Sequence, residues 1–347
     1  MHEEVQRYYG EVLQSSADLK TSACCTIEDT PKYVRDVMAQ IHAEVRTRYF
    51  GCGLILPEAL DGLQILDLGC GAGRDCYLLS HLVGANGRVT GVDMTAEQLE
   101  VARSHRGYHA AQFGYSESNV EFIQANIERL GESDLGDNRF DLIVSNCVVN
   151  LATDKRAVLD QAFRLLRPGG EMYFADVYSD RRVPEALTMD PELYTECLSG
   201  ALYCNDFLEL AKNAGFTDPR LVTDRPLTID APTVRQKVGE IRFFSATYRL
   251  FKLQQLEAAG EDYGQTVCYL GNVLHHPDRF VLDKHHVFEA GRVQAVSGNT
   301  YMMLAESRFA PYFEFRGDRR QHAGMFPESG ASLSFDAGQG TVATGCC

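Results

Sequence analysis

The feature that most constrains the fold is a glycine-rich loop between a short apolar stretch and a helical one. Residues 64–68 are mostly apolar, the loop reads Asp67-Leu68-Gly69-Cys70-Gly71-Ala72-Gly73, and residues 74–82 have helical periodicity. Glycines let a backbone turn tightly and approach a ligand closely, and the start of a helix offers unpaired N–H donors. A strand, a loop of this kind and a helix in succession predict a ligand-binding unit of a parallel sheet.

The alternation of apolar and helical stretches continues to residue 175. Further strands are predicted at 88–92, 120–124, 140–145 and 171–175, with helices from residue 96 and over 155–166. Thr95 is predicted as the N-cap of the helix that follows it, with Gln98 at the capping-box position. Short apolar strands separated by helices are typical of the α/β class, and they predict a Rossmann-like, doubly wound parallel sheet.

The rest of the chain flanks this sheet. We predict a helical N-terminal cap over 1–60 (periodic at 3–19 and 31–50), the Rossmann-like domain over 61–180, an insertion with late strands over 181–230, a small β-rich C-terminal domain over 231–325 and a flexible, Cys-ended tail over 326–347. In the C-terminal domain we expect strands at 242–250 and 266–270, and an antiparallel pair of 280–288 with 293–296 around Ala290-Gly291.

Charge and composition exclude several classes of partner. The net charge of −15 argues against nucleic acid, because phosphate binding requires a basic face. No apolar run approaches the ~20 residues of a membrane span, and the N-terminal residues do not resemble a secretory signal. We therefore expect a cytoplasmic protein without a membrane partner. Nothing such as a heptad repeat suggests obligate assembly, so we also expect a monomer.

The spacing of the glycines distinguishes two classes of cofactor. Dinucleotide-binding loops need Gly-x-Gly-x-x-Gly, but here Arg74 stands where the third glycine belongs. The loop instead resembles that of class I S-adenosylmethionine methyltransferases, whose acidic residue precedes the glycines as Asp67 does. Asp93 follows the second strand, where a carboxylate can hold ribose hydroxyls. Asn126 and Ile127 follow the third strand, where this class places the residues beside adenine.

A cysteine follows the fourth strand, in Ser145-Asn146-Cys147-Val148-Val149-Asn150. Open α/β sheets bind ligands beyond the carboxyl ends of their strands, so Cys147 should face the cofactor's methyl group. Oxygen and nitrogen methyltransferases usually need a general base near this edge, and none is evident in this segment. A thiol there suggests a soft methyl acceptor.

The chain resembles the arsenite S-adenosylmethionine methyltransferase family over most of its length, to about residue 310. The resemblance rests on stretches in the same order: Tyr8-Tyr9-Gly10, Ser16-Ala17-Asp18-Leu19, Arg48-Tyr49-Phe50-Gly51-Cys52-Gly53-Leu54, Gly73-Arg74-Asp75-Cys76-Tyr77, Ser145-Asn146-Cys147-Val148-Val149-Asn150-Leu151, Glu196-Cys197-Leu198-Ser199-Gly200-Ala201-Leu202-Tyr203 and, more weakly, residues 243–252.

The resemblance implies four functional cysteines, at Cys24, Cys52, Cys147 and Cys197. It implies that Cys147 and Cys197 hold trivalent arsenic as a thiolate adduct, and that Cys52, with Cys24, adds a third sulfur or supplies electrons. The segment 181–230 would then be the arsenic-binding insertion. The arsenic lone pair would attack the sulfonium methyl without a general base, and thioredoxin or glutathione would reduce the resulting disulfide.

The resemblance and the loop together define a predicted cofactor site. It comprises Asp67, Gly69, Gly71, Gly73, Arg74, Asp93, Met94, Gln98, Asn126, Ile127, Glu128 and Asn146. Arg74 is expected to pair with the cofactor's carboxylate. Phe50 stands where relatives often have tyrosine, and Cys204 replaces an aromatic residue. The roles of Cys25, Cys204, Cys346 and Cys347 stay open.

Two alternative functions stay open at this point. One is a methyltransferase of an organic thiol or another small molecule, and the other is a non-enzymatic thiol sensor or carrier of metalloids. In the first alternative the cysteines serve only the structure, because free cysteine is often buried as a small apolar residue. We expect that inert role for Cys70, Cys76 and Cys268. The absence of a Cys-x-x-Cys pair disfavours a structural zinc site.

Overall fold

The computed structural model describes residues 30–49, 51, 53–190, 193–194 and 196–327. Its largest sheet has eight strands: β1 (Gln64–Leu68), β2 (Arg88–Asp93), β3 (Val120–Gln124), β4 (Phe140–Asn146), β5 (Leu166–Ser179), β6 (Leu202–Tyr203), β7 (Arg220–Pro226) and β8 (Phe243–Phe251). The strand order is β3-β2-β1-β4-β5-β8-β7, and β6 pairs with β5. The order reverses between β1 and β4, so their carboxyl ends border a crevice of the kind that binds ligands in such sheets.

The predicted Rossmann-like, doubly wound sheet is confirmed, with one strand in the opposite direction. The pairs β1–β2, β1–β4, β2–β3 and β4–β5 are parallel. Strand β8 is antiparallel to both of its neighbours, β5 and β7. An apolar pattern predicts a strand but not its direction, because direction depends on how the chain returns to the sheet.

Helices cover both faces of this sheet. Within the described residues they are α1 (Lys32–Met38), α2 (Ala43–Thr47), α3 (Arg74–Val83), α4 (Ala96–Ser104), α5 (Arg106–Phe113), α6 (Lys155–Leu165), α7 (Glu185–Thr188), α8 (Cys204–Asn213), α9 (Pro232–Val238) and α10 (Gly298–Ala305). One buried cluster contains Val34, Leu78 and Leu99, and a second contains Leu159 and Phe207. No helix in the described ranges is long and apolar enough to cross a membrane.

The periodic stretch 31–50 forms two short helices instead of one. Helix α1 ends at Met38, and His42 has an extended backbone with φ −54° and ψ 138°. Ile41 between them is buried, and the His42 N–H donates to Nε2 of His109 at 3.2 Å. This bond to a residue distant in sequence stabilises the break.

The residues after β8 form a smaller unit with its own core. Its strands are β9 (Glu261–Asp262), β10 (Thr266–Tyr269), β11 (Arg279–Val281), β12 (Val287–Glu289), β13 (Val293–Ala295), β14 (Phe313–Arg316) and β15 (Gly324–Met325). They form a three-stranded sheet β13-β10-β14 and the two pairs β11–β12 and β15–β9. Phe280, Phe288 and Met303 belong to the buried cluster of this unit.

The prediction of an antiparallel strand pair around Ala290-Gly291 is wrong. Strands β11 and β12 pair with each other, whereas β13 pairs with β10. The predicted strand 280–288 is interrupted because Asp283 Oδ1 accepts the N–H groups of His285 and His286, each at 2.9 Å, and so closes a tight turn. The Asp283 side chain is buried and pairs with Arg220 at 3.0 Å, a contact that the local sequence does not reveal.

Buried ion pairs join the smaller unit to the main sheet. Arg308 lies 2.7 Å from Glu171, and Arg249 lies 3.5 Å from the same carboxylate and 2.7 Å from Glu58. The side chains of Glu171 and Arg249 are fully buried. Of these, the Arg308–Glu171 pair crosses between the two units, and separating them would break it at a cost because Glu171 is fully buried.

Candidate active site

A cavity lies at the carboxyl ends of β1, β2 and β4. It has a volume of about 1000 Å³, including its open mouth, which is enough for a small-molecule ligand. Most of the predicted cofactor residues line it: Asp67, Gly69, Gly71, Arg74, Asp93, Met94, Gln98, Asn126, Ile127, Glu128 and Asn146. Cys147 lines the same cavity. The structure thus brings a candidate cofactor site and a candidate acceptor residue together.

Glycine is required at two positions of the loop for different structural reasons. Gly69 has φ +74°, and a Cβ there would lie 2.3 Å from Val148, so the loop can approach β4 closely only without a side chain. Gly73 does not line the cavity. It has φ +87° where α3 begins, and a Cβ there would lie 2.8 Å from Phe122. Gly73 therefore serves the packing of the loop on the sheet.

Asp93 ends β2 and organises the backbone of the site. Its Oδ2 accepts the N–H of Gly71 and its Oδ1 accepts the N–H of Thr95, both at 2.8 Å. Thr95 is the N-cap of α4 as predicted, but the capping-box prediction is wrong because its side chain makes no capping hydrogen bond. The Thr95 amide bonds to Asp93 instead. Burial raises the pKa of Asp93, and these two N–H donors oppose that shift.

Asp67 is the buried carboxylate beneath the glycine loop. Burial, reinforced by the negative charge of Asp75, raises its pKa to about 7. The Cys76 thiol donates to Asp67 Oδ2 at 3.2 Å. A buried carboxylate at this position titrates close to neutral pH, so the protonation of the loop changes in the physiological range.

The raised pKa of Asp67 predicts a pH dependence of folding stability. Because the folded state binds this proton more tightly than the unfolded state, stability is highest below the unfolded pKa of about 3.9 and falls as pH rises toward about 7. We expect Asp67→Asn to make the fall of the unfolding free energy with pH shallower by up to ~1.4 kcal/mol per pH unit. Urea unfolding of the cofactor-free protein at several pH values between 5 and 7 measures it. Asp134→Asn, at an exposed position, is the control, and equal slopes for all three proteins would contradict the assignment.

Tyr49 forms a wall of the cavity that the sequence analysis did not identify. The Arg74 guanidinium lies 3.0 Å from the centre of the Tyr49 ring, and it also pairs with Asp75 at 2.6 Å. Asn146 Nδ2 donates to the Tyr49 hydroxyl at 2.6 Å and to Asp75 at 3.2 Å. The family motif quoted above does contain Tyr49, directly before Phe50, so the sequence could have pointed to this residue. Only the contacts show that Tyr49 holds Arg74 and Asn146 in place.

Cys147 and Cys197 lie next to each other. The Cys197 thiol is 3.5 Å from the Cys147 carbonyl oxygen, although 50 residues separate them in sequence. Both side chains are buried in one cluster, which also contains Val177 and Leu198. Cys147 and Cys204 each take part in a disulfide bond. Cys24 and Cys52, with Phe50, Cys25, Cys346 and Cys347, lie outside the described residues.

The backbone of both cysteines is in the left-handed region that favours glycine. Cys147 has φ +56° and Cys197 has φ +60°. Such conformations cost of order 1–3 kcal/mol for residues other than glycine, and they persist at functional sites when the surrounding structure enforces them. Both cysteines of the candidate acceptor site therefore lie on strained backbone.

This strain predicts an unusual order of stability among variants. We expect Cys197→Gly to be more stable than Cys197→Ala by about 1 kcal/mol, because glycine adopts positive φ without a steric cost. At Cys268, inside β10, the order should reverse, since glycine weakens a strand interior. Chemical denaturation of the four variants measures the two differences. A less stable Cys197→Gly variant would show that the positive φ is not strained.

A lysine and an aspartate support the cysteine pair. Asp176 accepts the N–H of Asn150 at 2.9 Å and of Val177 at 2.8 Å, which anchors the segment after Cys147. Burial raises the pKa of Asp176 to about 7. Burial lowers the pKa of Lys155, and the negative charges of Asp176 and Cys197 oppose that shift. A nearby ammonium favours the thiolate form of a cysteine.

Three further described cysteines were predicted to have an inert packing role, and one of them, Cys70, also lines the cavity. Cys76 is buried and free, and Cys70 is free with its pKa raised to about 11 by burial. Cys268 is free and partly exposed in the smaller unit. Burial raises the pKa of both Cys70 and Cys76, and a thiol with a raised pKa is a poor nucleophile and a poor metal ligand, so these two positions fit the predicted packing role.

Known proteins resemble this chain over its whole length. The family described as methyltransferase domain matches residues 59–215, and the arsenite methyltransferase C-terminal domain matches residues 263–336. An arsenite methyltransferase of Aquipseudomonas alcaligenes is 56% identical over 100% of both chains. The human arsenite methyltransferase is 44% identical over 91% of this chain and 84% of its own.

A solved structure shows the same similarity. The arsenic(III) S-adenosylmethionine methyltransferase of Chlamydomonas reinhardtii is 49% identical and superposes with a TM-score of 0.83, covering 85% of this chain and 99% of its own. These relatives confirm the family that the sequence motifs predicted. The chain is an S-adenosylmethionine-dependent methyltransferase, and it belongs to the arsenite methyltransferase family.

Proposed function

We propose that this enzyme transfers methyl groups from S-adenosylmethionine to trivalent arsenic held by Cys147 and Cys197. The observation that carries the proposal is the position of these residues. Cys147 lines the cofactor cavity, and the Cys197 thiol lies 3.5 Å from its carbonyl oxygen. Thiolates are soft ligands that suit a soft centre such as arsenic(III). Arsenite and its methylated trivalent products are then the substrates.

The residues of the cavity fit S-adenosylmethionine. Asp93 offers a partly buried carboxylate to the ribose hydroxyls, and Asn126 and Ile127 flank the position expected for adenine. Arg74, held by Tyr49 and Asp75, is placed to pair with the cofactor's carboxylate. When bound, S-adenosylmethionine would supply the methyl group of its sulfonium, and S-adenosylhomocysteine would be the leaving group.

The protein's contribution to the chemistry is alignment. Arsenic(III) bound by thiolates keeps a lone pair, so the arsenic itself is the nucleophile and no side chain needs to remove a proton. Holding the acceptor at Cys147 and Cys197 beside the cofactor cavity supplies proximity and orientation, which can contribute ~7–11 kcal/mol. Desolvation adds to this, because both cysteines are nearly fully buried.

A thiol reductant completes the proposed cycle. Methylation converts arsenic(III) to arsenic(V), and two electrons from a protein dithiol, which becomes a disulfide, restore the trivalent state. We assign the dithiol to Cys52 with Cys24, and the reduction of the disulfide to thioredoxin or glutathione. Cys147 is itself disulfide-bonded in this structure, so arsenic binding requires that bond to be reduced first.

The proposal extends to the organisation and location of the protein. The segment 181–230, which carries Cys197, is the arsenic-binding insertion that follows the Rossmann-like domain (61–180). The C-terminal domain, predicted over 231–325, begins only after β8 (Phe243–Phe251), because β8 belongs to the main sheet. Residues 1–29 of the predicted cap (1–60) and residues 328–347 of the predicted tail (326–347) lie outside the described residues. We further propose a monomer in the cytoplasm.

A direct assay tests the function. The reduced enzyme is incubated with arsenite, S-adenosylmethionine and thioredoxin or glutathione, and the arsenicals are separated by chromatography with elemental detection. We expect methylated arsenicals well above the control without enzyme. Arsenite binding without turnover would instead indicate a carrier. A methyl acceptor found only among organic thiols or other small molecules would reject the arsenic chemistry.

A further inference from the structure

Two imidazoles and a carboxylate meet where the start of α2 packs beside the junction of α4 and α5. His42 and Glu44 lie at the start of α2, and His105 lies between α4 and α5. One ligating atom from each of the three side chains lies within 4.8 Å of the other two. Within the described part of the chain, no other three histidine, cysteine, aspartate or glutamate residues come this close.

The three side chains are already in mutual contact. His105 Nε2 is 2.9 Å from Glu44 Oε2, and the rings of His42 and His105 stack with their centres 3.8 Å apart. His42 Nδ1 accepts the Glu44 N–H at 3.3 Å, so Nε2 is the His42 nitrogen that can bind a ligand. The Glu44 side chain is 46% exposed, which leaves the group open to ions from solvent.

A third histidine supports the first two from behind. His109 Nε2 accepts the N–H of His42 at 3.2 Å, and His109 Nδ1 lies 2.8 Å from the carbonyl oxygen of His105. Its ring stacks on buried Tyr77 with the centres 3.5 Å apart. These two bonds join the backbone of His42 to the backbone of His105 through one side chain, and so hold the start of α2 beside the α4–α5 junction.

We propose that His42, Glu44 and His105 bind one divalent transition metal ion of the zinc, cobalt or nickel type. Two imidazoles with one carboxylate are a known zinc ligand set, with water completing the coordination. Magnesium and calcium are disfavoured because they prefer oxygen ligands. On binding, the ion takes the place of the direct His105–Glu44 contact, and the stacked rings turn their nitrogens toward it. The site contains no sulfur, so it is chemically distinct from the thiol pair.

The position of the site indicates what the ion does. Helix α2 ends at Thr47, and the next two residues, Arg48 and Tyr49, line the cofactor cavity. An ion bound by both α2 and the α4–α5 junction would hold Arg48 and Tyr49, and with them this side of the cavity, against the helices that cover the sheet. We therefore expect metal binding to raise thermal stability. The inference does not depend on the proposed arsenic chemistry.

Cobalt(II) is the probe, because cysteine and histidine ligation give different spectra. Untagged, reduced enzyme is titrated with Co²⁺, and bound metal is counted by equilibrium dialysis. We expect one equivalent that binds without a thiolate-to-cobalt charge-transfer band and that broadens the NMR signals of the His42 and His105 rings. His105→Gln and His42→Gln should each weaken this equivalent by at least about tenfold.

The control uses another histidine–glutamate pair. His322 lies 3.0 Å from Glu261 and has no second imidazole ligand beside it, so His322→Gln should bind cobalt as the wild type does. Circular dichroism checks that each variant is folded, and the ring-proton broadening in the wild type needs no variant. The proposal is overturned if every bound equivalent shows the thiolate band, if no ring signal of His42 or His105 broadens, or if His105→Gln binds with unchanged affinity.

Discussion

Replacing Cys197 or Cys147 by serine is expected to slow arsenite methylation by at least about a thousandfold, which corresponds to about 4 kcal/mol of barrier. A serine hydroxyl is a hard ligand that keeps its proton at neutral pH, so it does not replace a thiolate on arsenic(III). This expected increase of about 4 kcal/mol in the barrier is smaller than the ~7–11 kcal/mol that alignment of the reactants can contribute. Single-turnover formation of methylated arsenicals measures the rate, and calorimetry with S-adenosylhomocysteine should show unchanged affinity.

The matched control is Cys268→Ser, which changes a free, partly exposed thiol of the smaller unit. It should leave the methylation rate unchanged. Because Cys147 is disulfide-bonded, all variants are compared after full reduction. If Cys147→Ser and Cys197→Ser both turned over at the wild-type rate, the thiolate-ligand mechanism would be wrong even though arsenic is methylated.

Asp93→Ala is expected to weaken cofactor binding by at least about a hundredfold. Hydrogen bonds to a charged group contribute about 1.5–3 kcal/mol each, and Asp93 is assigned two of them with the ribose. The same carboxylate also holds the N–H groups of Gly71 and Thr95, so its loss loosens the loop that surrounds the ligand. Calorimetric titration with S-adenosylhomocysteine measures the affinity.

Two further variants separate the ribose contacts from general effects. Asp93→Asn keeps one acceptor oxygen and should lie between the wild type and Asp93→Ala. Glu97→Ala removes an exposed carboxylate from α4, the helix that follows Asp93, and should bind normally. Wild-type affinity in a folded Asp93→Ala protein would reject the ribose assignment.

The fold was predictable wherever local chemistry decides the backbone. The glycines between β1 and α3 need positive φ, the apolar stretches form buried strands, and Thr95 begins α4. Prediction failed where a distant partner decides. The break between α1 and α2 rests on His109, and the turn that divides β11 from β12 rests on Asp283 held by Arg220. Such contacts leave no local pattern in the sequence.

The sequence by itself determined the cofactor loop, its acidic residues and a thiol at the end of β4. These features depend on residues that are neighbours in the chain, so spacing and residue type suffice to identify them. Only the tertiary structure decided which side chains meet. It places Cys197 beside Cys147, stacks Arg74 on Tyr49 and assembles His42, Glu44 and His105. Those contacts form because helices and strands pack through long-range burial, which no short stretch of sequence encodes.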